Sequence, residues 1–168
     1  MNTLLATTIT LGTAATAAAG IALAVPGTAS AATCSTPWGS GAKTVTSSGH
    51  STLSAVRAGR HTCFDRVVVD LSSSAIGYRV RYVSAVRNQG QGAVIPLKGG
   101  AFLQVDLQSA AARTPAMPNV AGYTTLRQVG WGGSFEGYST VGVGVRARLP
   151  FRVFRNGTDL VVDVAHRW

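Results

Sequence analysis

The stretch Phe64-Asp65-Arg66-Val67-Val68-Val69-Asp70-Leu71 returns in reduced form near the end of the chain as Thr158-Asp159-Leu160-Val161-Val162-Asp163-Val164-Ala165. Aligned on their aspartates, residues 67–71 match residues 160–164. Both are short β-branched runs with an acidic residue one step before the last apolar one, and β-branched side chains favour a pleated, extended backbone. The period in 64–71 is two: Val67, Val69 and Leu71 form one face, Arg66, Val68 and Asp70 the other. The two runs mark both ends of one β-domain and read as two core strands. The plainest role for Asp70 and Asp163 is to offset nearby arginines, and Arg66 lies on the same strand face as Asp70.

Between the two runs the same period recurs. Tyr78, Val80 and Tyr82 point one way, Arg79 and Arg81 the other. Residues 93–97 carry Pro96, which lacks the ladder donor and marks an edge or bend. Gly99-Gly100 turns the chain into Ala101, Leu103, Val105 and Leu107. The Ala- and Pro-rich stretch 108–122 reads as the long loop, with a helical turn at 108–113. A second β block runs through Trp131-Gly132-Gly133 to Val141, Val143, Val145, Ala147 and Leu149, which alternate with Gly142, Gly144, Arg146 and Arg148. Gly142 and Gly144 read as strand glycines that admit another element closely. Asn156-Gly157 signals a type I′ hairpin. Many short strands without an amphipathic helix imply an all-β fold, a small antiparallel β-sandwich or partly closed barrel.

The first residues read differently. From Leu4 to Val25 the chain is uncharged, then breaks at Pro26-Gly27 and reaches Ala29-Ser30-Ala31. Small residues after a helix breaker read as a signal-peptidase site, with cleavage expected between Ala31 and Ala32; a transmembrane anchor is the competing reading. The expected organisation is a signal peptide (1–31), a flexible Ser/Thr/Gly arm (32–60) and the β-domain (61–168), with no transmembrane span in the mature chain. Cys34 and Cys63 are the only cysteines, and two cysteines in an exported chain most simply form one disulfide. Such a closure contributes about 3 kcal/mol in the chain-entropy picture.

The formal net charge is +9, and lysine occurs only at 43 and 98. An arginine excess favours acidic partners, because the planar guanidinium forks onto phosphate and carboxylate; the competing reading is charge that merely keeps the protein soluble.

The run 61–71 followed by Gly77-Tyr78-Arg79-Val80-Arg81-Tyr82-Val83 resembles the opening of the AMIN-like domain, a family of secreted proteins and lipoproteins of high-GC Gram-positive bacteria. Ser134-Phe135-Glu136-Gly137, Pro150-Phe151-Arg152-Val153-Phe154 and the segment 160–166 agree in order and spacing, so the resemblance covers about residues 61–166. AMIN modules are β-sandwiches that target exported amidases and secretins to the envelope, and they usually accompany a catalytic or pore-forming domain, which this sequence does not contain. The resemblance therefore implies an all-β envelope module.

Little in the chain reads as catalytic. His50, His61 and His166 stand in no HExxH or HxxE spacing. His61 and His166 would meet if the repeated strands pair, with Asp65 or Asp163 joining them; the competing reading is local hydrogen bonding. There is no nucleophile elbow, and Glu136 with Asp65 or Asp106 has no support as a glycosidase pair. The expectation is no enzyme, no metal and no cofactor. The candidate ligand-binding residues are Arg79 and Arg81 on one strand and Arg146 and Arg148 on another, with Trp131, beside Tyr123 and Phe135, as a sugar-stacking surface. The competing reading is a solvated edge over core aromatics. The function expected is a secreted, monomeric, non-catalytic module that binds anionic cell-wall polymer, peptidoglycan or teichoic acid, and not nucleic acid. The alternative is a small secreted hydrolase or enzyme inhibitor using a pocket or the 108–122 loop.

Overall fold

The computed structural model describes residues 34–168, and the expected signal peptide and its cleavage point lie outside them. Twelve strands follow one another: β1 (Lys43–Val45), β2 (Thr52–Arg60), β3 (Phe64–Leu71), β4 (Tyr78–Val83), β5 (Val86–Arg87), β6 (Val94–Ile95), β7 (Ala101–Leu107), β8 (Ala110–Ala111), β9 (Leu126–Phe135), β10 (Tyr138–Val145), β11 (Phe151–Asn156) and β12 (Asp159–Ala165). One five-stranded sheet runs β1-β4-β7-β10-β9, a second runs β11-β12-β3-β2-β8, and β5 and β6 form a separate two-stranded hairpin. The two five-stranded sheets stay open, so the fold is a sandwich and not a closed barrel.

Alternation decides what the sandwich buries. Val67, Val69 and Leu71 of β3 and Leu160, Val162 and Val164 of β12 meet Val80, Leu103, Val105, Leu107, Val141 and Val143 of the other sheet in one core. Burying each such side chain contributes roughly 1.5–3 kcal/mol. The two repeated runs are direct neighbours, paired antiparallel with Val68 opposite Val161 and Arg66 opposite Asp163.

The stretch 32–60, expected as an arm, supplies β1 and β2 among its described residues, and β2 is a full member of the second sheet. A β-bulge hid it. Leu53 pairs with Leu71 but Ala55 with Asp70, so Ser54 is an extra residue. The inward side chains Leu53 and Val56 are then three apart and break the period of two. Residues 110–111 are a short strand parallel to β2, not a helical turn. β10 stops at Val145, before the expected Leu149: the Arg146 amide donates across to the Thr125 carbonyl, and Pro150 has no donor for a ladder.

The hairpin turns also differ in detail. Asn156 pairs with Asp159, so the tip is Gly157-Thr158, with positive φ only at Gly157; type I′ needs it at both. That signature belongs instead to Glu136-Gly137, with φ of 47° and 81°, joining β9 to β10. The strand glycines behave as expected. A Cβ on Gly142 would lie 2.7 Å from Leu97 and 2.9 Å from Val86, and one on Gly130 would lie 2.6 Å from Leu97. Their bareness lets the 84–100 segment lie flat on the outer face of the first sheet. Cys34 and Cys63 are joined as a disulfide, with Cα atoms 5.3 Å apart, which ties the segment before β1 to the start of β3.

Candidate functional site

On the outer face of the second sheet both repeated aspartates hold arginines. Asp163 is fully buried and accepts from Arg66 (2.6 Å) and Arg152 (2.8 Å). The two guanidiniums lie against aromatic rings: Arg152 is 4.5 Å from the centroid of Trp38 and 5.0 Å from that of Phe154, and Arg66 is 5.2 Å from Phe64. Hydrogen bonding to Asp163 raises the Arg66 pKa further above its ordinary value, against desolvation. Asp70 and Asp159 share the more exposed Arg57, at 2.6 and 3.0 Å. Arg57 and Arg66 line one open groove with Val68, Asp159 and Val161.

Arg79 and Arg81 alternate on the outer face of β4, as the sequence implies, but their situations differ. Arg81 donates to Asp106 (2.6 Å), which also accepts from Gln104 and Thr140. Gln89 of the 84–100 segment completes this network through Thr140. Arg79 is exposed and meets no carboxylate. It lines a shallow groove of about 240 Å³ with Val45, Ser47, Tyr78, Gln108 and Tyr138.

Arg146 and Arg148 do not continue the β10 stripe. Both lie past its end, in the link to β11, six or more residues along from Thr140, the neighbour of Asp106. At about 3.4 Å per residue the end of β10 at Val145 is roughly 17 Å along the sheet from the Thr140–Asp106–Arg79 level, and Arg148 stands beside Tyr82 of β4. Arg148 donates to the Ser40 hydroxyl and carbonyl and stands 4.9 Å from the Tyr82 ring. The Tyr82 hydroxyl donates to the Leu149 carbonyl (2.8 Å) and accepts from the Leu149 amide (2.9 Å). Burial pushes the Tyr82 phenol up, while the hydrogen bond from the Leu149 amide and the Arg148 charge pull it down. Trp131 and Tyr123 pack against the core, whereas Phe135 is exposed at the far hairpin, so the three aromatics do not share a surface.

Arg146 keeps other company. Where β2, β10 and β12 end and β3, β9 and β11 begin, the fully buried Asp65 accepts the amides of Thr125 (2.6 Å) and Leu126 (3.1 Å) through one oxygen, and bonds His166 Nε2 (3.1 Å) through the other. Around this pinned segment Arg60 donates to the Gly122 carbonyl (3.2 Å), Arg127 to the Tyr123 and Leu126 carbonyls (3.1 and 3.0 Å), and Arg146 to the His166 carbonyl. All three arginines are exposed, and none meets a carboxylate. Sequence reasoning missed Arg60, Arg127 and the role of Asp65. One signal for Asp65 existed: it shares the inward parity of Val67 and Val69, an acid on a core face.

Asp65 joins His166, and His61 instead stacks on Phe64 with ring centroids 4.4 Å apart. The Thr125 hydroxyl donates to the Ala165 carbonyl and is fully buried, so it is not positioned as a nucleophile. Among the described residues no three His, Cys, Asp or Glu side chains gather closely enough to hold a metal ion, and no helix is long and apolar enough to cross a membrane.

Two facing open sheets, a basic surface and internally committed carboxylates define a β-sandwich module. The chain belongs to the AMIN-like domain family, whose model matches residues 51–166 and so takes in β2 to β12 but not β1. That membership relates it to the cell envelope. No curated protein and no solved structure matches the chain.

Proposed function

We propose that this protein is a secreted, non-catalytic, monomeric module that attaches electrostatically to anionic cell-wall polymer. The observation that carries the reading is how the charges are partnered. Asp70, Asp106, Asp159 and Asp163 are bound to arginine, Asp65 is buried on backbone amides, and among the described acidic side chains Glu136 alone has no such partner. Among the described arginines and lysines only Arg57, Arg66, Arg81 and Arg152 meet a carboxylate. Arg79, Arg146 and Arg148 therefore keep their charge for a partner, while that of Arg81 is offset by Asp106. Uncompensated guanidiniums of this kind attract a polymer that repeats phosphate or carboxylate.

The test is co-sedimentation of the exported protein with purified cell wall. Binding at low ionic strength and release at about 0.5 M salt are expected, since such contacts are screened within a few ångströms at that concentration. Absence of binding, or binding indifferent to salt, overturns the reading. Nothing favours the hydrolase or inhibitor alternative: the Asp106 beside the groove is saturated by Arg81, Gln104 and Thr140, and Met117, Val120 and Tyr123 tie the 108–122 loop and its exit to the core.

A further inference from the structure

We infer that Arg60, Arg127 and Arg146, gathered around the 122–126 segment, form the principal oxyanion site of this protein, taking successive phosphate or carboxylate groups of a wall polymer. The inference rests on the wall-binding reading above and locates it on residues that the sequence pattern does not single out, Arg146 excepted.

The site is built from the backbone outward. Asp65 takes the amides of Thr125 and Leu126, which fixes the segment from inside. The outward carbonyls of Gly122, Tyr123 and Leu126 then hold Arg60 and Arg127, the Thr125 carbonyl holds the Arg146 amide, and the Arg146 guanidinium rests on the His166 carbonyl. Arg60 also lies 5.7 Å from the Tyr123 ring centroid. A carbonyl dipole orients a guanidinium without cancelling its charge. Asp65, the acidic side chain at this end, is wholly buried and bonds none of the three.

The nitrogens in use specify the geometry. Arg60 and Arg127 each donate through Nη1 alone, which leaves free the Nε–Nη2 edge that grips an oxyanion with two parallel bonds. Arg57, Arg66 and Arg152, by contrast, direct Nε at an aspartate. Their forks are occupied, and those of Arg60 and Arg127 are open.

Binding of the full exported chain is measured on two probes, poly(glycerol phosphate) and peptidoglycan sacculi stripped of teichoic acid. The comparison is between R60Q/R127Q and a charge-matched control, R87Q/R113Q, whose arginines are exposed, Arg87 in β5 and Arg113 just past β8, which pairs with the end of β2 opposite Arg60. The site predicts that R60Q/R127Q weakens binding about tenfold or more, with a further loss on adding R146Q, while the control changes it less than about threefold. Whichever probe shows this pattern identifies the source of the oxyanion. Equal losses in both double variants overturn the site but leave general electrostatic wall binding standing. Full binding by R60Q/R127Q also overturns it. Failure of the unaltered protein to bind either probe overturns the wall-binding reading itself, and this inference with it. Tighter binding of duplex DNA than of both probes overturns the assignment to wall polymer. Should R60Q/R127Q lose the native melting transition, R60K/R127K keeps the charge but not the fork: a several-fold loss supports the site, and unchanged affinity overturns it.

Discussion

Asp163 and Asp70 occupy the same place in two copies of one motif, yet they are unlike in the folded protein. Asp163 has Arg66 across the β3–β12 ladder and Arg152 across the β11–β12 ladder, and Trp38, Phe64 and Phe154 surround the guanidiniums; the carboxylate is fully buried. Asp70 has Ala55 as its ladder partner on β2, and another carboxylate, Asp159, lies close enough to share its arginine. The two share Arg57, whose side chain is 56% exposed. Similar local sequence thus yields a buried two-armed cluster in one place and a wet surface bridge in the other. What differs is the strand alongside and the segment laid over it.

The largest expected effect is the most direct challenge to that contrast. Asp163→Asn leaves two guanidiniums facing each other over a buried site and is expected to cost about 3–5 kcal/mol, whereas Asp70→Asn should cost under about 1 kcal/mol. Urea denaturation of both variants decides it, and equal losses break the comparison. Next comes the cover. Cys34→Ser/Cys63→Ser frees the segment that carries Trp38, and a loss of about 3 kcal/mol is expected; in that background the Asp163→Asn penalty should shrink, as the double-mutant cycle will show. On the exposed side, Gly157→Ala places a Cβ at φ 61° in the turn that sets the register of Asp159. It should cost about 1 kcal/mol by thermal unfolding. The smallest effect is the most discriminating. The Arg57–Asp70 coupling should fall from a few tenths of a kcal/mol towards zero at about 0.5 M salt, while the Arg152–Asp163 coupling persists because its carboxylate is out of water.

Much of this arrangement is legible in one dimension. The alternation in 64–71, 78–82 and 101–107 places the core valines and leucines correctly, and it sends Asp70 and Asp163 outward towards arginine. Gly142 and Gly144 announce a close approach, which Val86 and Leu97 make. The failures have local causes. Ser54 is a bulge residue that breaks the period of β2, so a central piece of the second sheet reads as an arm. The I′ turn at Glu136-Gly137 lacks the usual Asn, and Arg146 is read as strand because Val145 runs into it without punctuation. The candidate site was legible only in part: Arg79 and Arg81 share a strand face, but nothing near them in sequence shows that Asp106 offsets one and not the other.

Strand identity, the facing of side chains and the all-β class follow from the chain itself, because a period of two is a property of neighbouring residues. The outcome for each charge was settled only by tertiary structure. Arg66 reaches Asp163 across 97 residues and His166 reaches Asp65 across 101. Arg60, Arg127 and Arg146 come to one segment from three different strand ends. Such meetings depend on the order in which strands are paired and on what lies over them, and burial then turns one aspartate into a buried anchor and leaves its twin at the surface.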